Sequence, residues 1–260
     1  MTGVASLAYA QTRIQSRYGE RADAGVWLKL HNILDLGSYL QTAQQTALRP
    51  WVLGLSSTYN SHDIEQALRQ KYRQHVDEVA NWMPAKWHRP LQWIKRLADL
   101  PTLQYLLAGG EPLEWMKSDP EISDFTGDDI QQRVQHIQAA GNQALVDSWR
   151  QHGSILSGWL SQWNSIRPKS IYYDQGLKQL EKLLLEQMQL QTRQQGKTLP
   201  GDYEIMLDRL RLVFRRSAFQ PAAVCAYLAI VAIDVHRLRS DLMLRLLFQD
   251  VQDIEQELPQ

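Results

Sequence analysis

Twelve consecutive uncharged residues, Ala222 to Ile233, follow Pro221 near the C-terminal end of the chain. This run constrains the fold more than any other feature. Proline suits the first turn of a helix, where its missing N–H leaves no bond unmade. Apolar residues then occupy every side of the predicted helix for about three turns. A helix apolar all round is either a membrane span or the central helix of a core. Twelve residues reach about 18 Å, short of the roughly 30 Å of a bilayer's hydrocarbon. A core helix is therefore expected. The polar group Asp234 to Arg239 follows directly and is expected to fix the end of that helix, with Arg239 pairing with Asp234 or Asp241. A second apolar run comes after Ser240 and Asp241.

The surrounding chain of 260 residues has enough apolar side chains to bury that helix in one large domain or two modest ones. Lys plus Arg is 28 and Asp plus Glu is 28, so the net charge is zero. A protein that grips nucleic acid shows a basic excess, and this balance argues against one. The single cysteine, Cys225, lies inside the apolar run and reads as a small buried hydrophobe of a reducing compartment. The first ten residues lack the basic and apolar regions of a signal peptide. No unbroken run of eighteen apolar residues occurs, so no membrane span is expected. The expected location is the cytoplasm. Glutamine is frequent, β-branched alternation is nearly absent, and the fold class expected is all-α.

Helical spacing supports that class along the chain. Leu7, Ala10, Ile14 and Tyr18 mark a first helix over 5–21, beside a basic row of Arg13, Arg17 and Arg21. Short helices are predicted over 26–34 and 38–46. A longer one starts at Ser61, with Ile64, Leu68, Tyr72, Val76, Val79 and Met83 on one stripe, and stops at Pro84. Trp82, Trp87 and Trp93 are expected to pack a corner. Residues 91–108 predict two short helices hinged at Pro101. Residues 111–129 hold seven acidic side chains against Lys117, broken by prolines and a glycine, and read as a linker. One helix is predicted over 128–150 and another over 154–166. Asp174 is expected to cap a helix with Leu177, Leu180, Leu184 and Met188 buried. Gly196, Pro200 and Gly201 read as a loop. Asp202 is expected to cap a helix with Tyr203, Met206, Leu207, Leu210, Phe214 and Ser217 on its stripe, and Arg209, Arg211, Arg215 and Arg216 outside. Asp250 to Glu257 reads as a frayed acidic end. The domain reading is N-terminal bundles over 1–110, a linker-like segment over 111–129 and C-terminal bundles over 130–260.

The residues point to no reaction. None of the seven histidines forms a His-Glu-x-x-His or di-metal pattern, and no metal or cofactor is expected. No phosphate loop, dinucleotide turn or nucleophile elbow is present. A helical active site near His62, His75 and Glu78 is the enzymatic alternative.

Four segments resemble a family of V-type ATPase components, the C-type subunits of archaeal-type enzymes and d-type subunits of eukaryotes. Tyr9-Ala10-Gln11-Thr12-Arg13-Ile14 resembles the family's opening, and Asp63-Ile64-Glu65-Gln66-Ala67-Leu68 its next helix. Ala98 to Leu107 is similar to a later segment, with Thr102 where Asn is usual. Ala226-Tyr227-Leu228, Asp234-Val235 and Leu238-Arg239 resemble the C-terminal signature, with Asp234 in place of Glu. Two departures stand out: the chain is shorter than typical members, and Ile230-Val231-Ala232 replaces a more polar spacer. The resemblance implies an all-helical, funnel-like assembly of repeated bundles without catalysis. It implies a seat for the central shaft on the membrane rotor ring, transmitting torque for proton or sodium transport. The partners implied are the central-shaft subunits and the ring, with the membrane met only through the ring. Arg13, Arg17, Arg21, Arg209, Arg215 and Arg216 are then candidate partner contacts, and Tyr227, Asp234 and Arg239 the structural signature. The alternative is an all-α interaction scaffold unrelated to rotary ATPases.

Overall fold

The computed structural model describes residues 3–193 and 200–257, and within them the side chains of 5–186 and 204–248. Among the described residues every regular element is helical. In order these are α1 (Gly3–Gly19), α2 (Ala24–His31), α3 (Leu36–Ala43), α4 (Arg49–Val52), α5 (Ser61–Trp82), α6 (His88–Ile94), α7 (Leu100–Leu107) and α8 (Glu114–Ser118). They continue with α9 (Ile130–Ile137), α10 (Gln143–His152), α11 (Leu156–Ile166), α12 (Ile171–Arg193), α13 (Pro200–Arg216) and α14 (Pro221–Glu257). Two compact units form: 1–75 with 170–260, and 76–169.

In the discontinuous unit, α14 packs along α13, α12, α1 and α3. Its residues Ala222 to Leu228 are all buried. The helix packing is close at Gly176 of α12, where a Cβ would lie 2.8 Å from Ser217 Oγ and 2.9 Å from Ala222 Cβ. The stripes of α1 and α13 are buried as their spacing predicts, with Ala10, Ile14 and Leu210 at 0% exposure. Ile64 and Leu68 of α5 join Leu238 and Leu242 of α14 in a core that also takes Trp27, Leu36, Tyr39 and Leu40. Asp23 and Asp35 accept the N–H groups of Val26 and Ser38, which starts α2 and α3 two residues earlier than the apolar spacing suggests.

Three expectations for this unit are corrected. The polar group after the uncharged run does not end the helix. α14 is 37 residues long and passes straight through Asp234 to Arg239. From Pro221 to Phe248 it is long and apolar enough to cross a membrane by length and composition, and 61% of its most apolar window is buried inside the protein. Pro200 opens α13 instead of sitting in a loop, as suits a proline in a first helical turn. Asp174 lies within the first turn of α12, not at its cap. Met188, Asp202, Tyr203, Gly196 and the acidic side chains of 250–257 lie outside the described residues or side chains.

The second unit is built from shorter pieces. Pro84 ends α5 and Pro101 opens α7, as expected. Trp87 is fully buried, and Trp93 and Trp159 each donate the indole N–H to the other's carbonyl, at 3.1 and 3.2 Å. The predicted single helix over 128–150 is interrupted by a wide turn at Gln138–Asn142, because Gly141 has φ 80°. Residues 111–129 are no linker: they lie inside this unit. Met116, Ile122 and Phe125 are buried there, and buried Asp119 accepts the Glu121 N–H at 2.9 Å. Arg133, 6% exposed, closes the segment by donating to the carbonyls of Gly110 at 2.6 Å and Gly127 at 2.7 Å. The acidic composition covers a surface while a few apolar side chains fix the path.

Candidate partner-binding surface

α1 stops at Gly19, and the chain turns there, so Arg21 leaves the row that Arg13 and Arg17 share. Its guanidinium instead meets Asp234 of α14 in a two-pronged ion pair, Nε to Oδ2 at 2.6 Å and Nη2 to Oδ1 at 2.7 Å. Both side chains are nearly buried, at 13% and 11% exposure. Burial pushes the Asp234 carboxyl above its ordinary range, while the Arg21 bonds and the charges of Arg21, Arg211 and Arg237 pull it back. The planar fork of Arg matches a carboxylate in this geometry. Arg21 is thus an internal tie between α1 and α14.

Arg239 also differs from expectation. It pairs with Glu65 of α5 at 2.7 Å, not with Asp234 or Asp241. Asp241 lies one residue too close on the helix for a facing pair and instead accepts the Tyr39 hydroxyl at 3.2 Å. Burial and the Asp241 charge push that phenol upward. Tyr227, the third signature residue, is 1% exposed, and its hydroxyl lies 3.0 Å from His75 Nε2. A chain of rings runs from Tyr18 through Phe214 and Tyr227 to His75 and Trp51. His75 is thereby part of the aromatic packing.

Further cationic contacts have no signal in the sequence. Arg245, 2% exposed, donates to the carbonyls of Leu30 at 2.9 Å and Ile33 at 2.8 Å and stacks 4.0 Å from the Tyr39 ring centroid. A cation suits the partial negative charge at the C-terminal end of α2. Arg237 lies 4.4 Å from the Trp27 ring centroid and 3.6 Å from Glu204. Helical spacing marks which α14 residues face inward but not which distant carbonyl or ring they meet.

Arg237 and Trp27, with Arg21, border a cleft of about 280 Å³. Trp27, Leu28 and His31 line it from α2, Glu204, Leu207 and Arg211 from α13, and Asp234, Arg237 and Asp241 from α14. Its charges are mostly matched in pairs, Arg21 with Asp234, Arg211 with Asp208 and Arg237 with Glu204. Among the described residues no group of three or more His, Cys, Asp or Glu side chains is placed to hold a metal ion.

The other candidate contacts remain on the outside. Arg13 is exposed, with its guanidinium 5.8 Å from the Tyr9 ring centroid, and Arg17 is half-exposed. Arg209, half-exposed at its side chain, pairs with Glu186 at 2.8 Å. Arg215 and Arg216 are exposed in the last turn of α13, where they complement the helix dipole. No protein family, characterised protein or solved structure matches the chain.

Proposed function

We propose that the chain is a non-catalytic adaptor of a V/A-type rotary ATPase, seating the central shaft on the membrane rotor ring and transmitting torque between them. The observation that supports this reading is the meeting of residues that carry the resemblance to the V-type ATPase family. The first segment is tied to the turn before α14, outside the signature itself: Gln11, at a variable position of the N-terminal motif, is 2% exposed, and its side-chain oxygen accepts the N–H of Phe219 at 2.9 Å. Glu65 of the second motif pairs with Arg239 of the C-terminal signature. Ile64 and Leu68 of the second motif share a core with Leu238 of the signature. Three segments far apart in sequence thus form one framework, which is what a rigid, torque-transmitting helical protein needs.

The reading is tested by reconstituting the rotary complex with and without this chain. Without it, ATP hydrolysis by the head is expected to persist while ion transport stops, and adding the chain restores transport. Full ion transport in its absence, or no incorporation when it is added, removes the rotary reading and leaves the all-α interaction scaffold.

A further inference from the structure

α13 carries an exposed stripe of two aliphatic and two arginine side chains. Ile205, Arg209, Leu212 and Arg216 follow one another at spacings of four, three and four, which places them on one face over about three turns. Ile205 is 61% exposed and Leu212 42%. Arg215 borders the stripe near its C-terminal end. Helix-dipole balance accounts for arginines in a last turn, but not for two exposed aliphatic residues one heptad apart on the same face.

The charge along the stripe is uneven. Arg209 is matched by Glu186 and Asp208 by Arg211. Among the described residues neither Arg215 nor Arg216 is paired with a carboxylate. An apolar pair spaced by two helical turns, with unmatched positive charge at one end, complements a second helix with apolar residues at the same spacing and acidic residues at the matching end.

We propose that this stripe docks an acidic amphipathic helix of a partner protein. Ile205 and Leu212 supply the apolar seat, and Arg215 and Arg216 fix direction and register by pairing with Glu or Asp of the incoming helix. An anionic membrane surface fits less well. Two aliphatic side chains offer little area to insert into the interface of a bilayer. The proposal rests on the reading of the chain as a partner-binding adaptor but not on the identity of the machine, and its test contains no rotary component.

The probe is a synthetic helical peptide of about three turns with Leu on one face and Glu beside it, titrated into the full chain at low and high salt. The control peptide carries Lys in place of Glu. Binding of the acidic peptide alone is expected, weakening as salt screens the arginines. The double variant R215E/R216E is expected to lose about tenfold or more in affinity, since attraction turns to repulsion. Leu212→Ser weakens binding with little effect on its salt dependence. Both changes are at exposed positions, and circular dichroism verifies that the helices persist. Equal binding of the two peptides, no binding at low salt, or binding only to vesicles containing phosphatidylserine each overturns the proposal.

Discussion

The two units of this protein use their charged side chains differently. In the discontinuous unit, ion pairs join segments far apart in sequence: Arg21 meets Asp234, and Glu65 meets Arg239. In the 76–169 unit, a buried Arg133 and a buried Asp119 bond to nearby backbone groups and fix an irregular segment. Long helices satisfy their own backbone and need side chains only to choose which neighbour they lie against. Short helices leave many carbonyl and N–H groups at their ends, and buried side chains must meet them. Where the discontinuous unit has a short helix it does the same: buried Arg245 of α14 meets the carbonyls of Leu30 and Ile33 at the end of α2.

Removing the acidic half of the α1–α14 tie has the largest expected effect. Asp234→Ala leaves the Arg21 guanidinium nearly buried and unmatched, at a cost of about 3 kcal/mol. Arg21→Met with Asp234→Leu should recover much of this, because the apolar pair carries no desolvation penalty. Urea unfolding of the single and double variants checks both, and an equal loss in the two would show that the charge pair itself is required. Gly158→Ala tests the other unit. Its Cβ would overlap the Ala144 carbonyl oxygen, so α10 and α11 must move apart, costing about 2 to 3 kcal/mol. Hydrogen exchange is expected to quicken in α10 and α11 well before α13 and α14; uniform quickening would break the distinction between the units.

Arg133→Ala removes two charge-assisted bonds to backbone carbonyls, at a cost of about 2 kcal/mol. Proteolysis is expected to become faster between 111 and 129, and unchanged cleavage there would mean that burial of Met116, Ile122 and Phe125 suffices. Asp35→Ala, at the start of α3, costs about 1 kcal/mol. The Ser38 N–H holds the Asp35 carboxyl below its ordinary value. Its contribution is therefore present above about pH 4 and lost as pH falls through the lower folded value, so variant and parent stabilities should converge in acid. Arg239→Ala is the mildest change, under about 1 kcal/mol, because solvent reaches both Arg239 and Glu65. A much larger loss would place that pair with Arg21 and Asp234.

How much of this is legible in the sequence follows the same division. The stripes of α1, α5 and α13 are readable because helical periodicity over several turns specifies a buried face, as Ile64 through Met83 illustrate. The uncharged run reads correctly as core-facing, but its helix end does not. Whether Asp234 and Arg239 terminate a helix or ride within it depends on Arg21 and Glu65, which periodicity on α14 cannot locate. Residues 111–129 mislead for a related reason. Their composition is that of a linker, yet Arg133 from outside the segment and buried Asp119, Met116, Ile122 and Phe125 within it hold its path. Of the candidate contacts, Arg209, Arg215 and Arg216 stay outside as their spacing implies. Arg21 turns inward because α1 ends two residues before it.

In the reading proposed above, this framework exists to present a binding surface within a rotary machine. The most direct measurement is affinity purification of the tagged full chain from its own cells in mild detergent, with the bound proteins identified by mass spectrometry. The expected result is recovery of the rotor ring and the central-shaft proteins in a fixed ratio to the chain. Recovery of the chain without either of them, from membranes in which the rotary complex is intact, would contradict the rotary role.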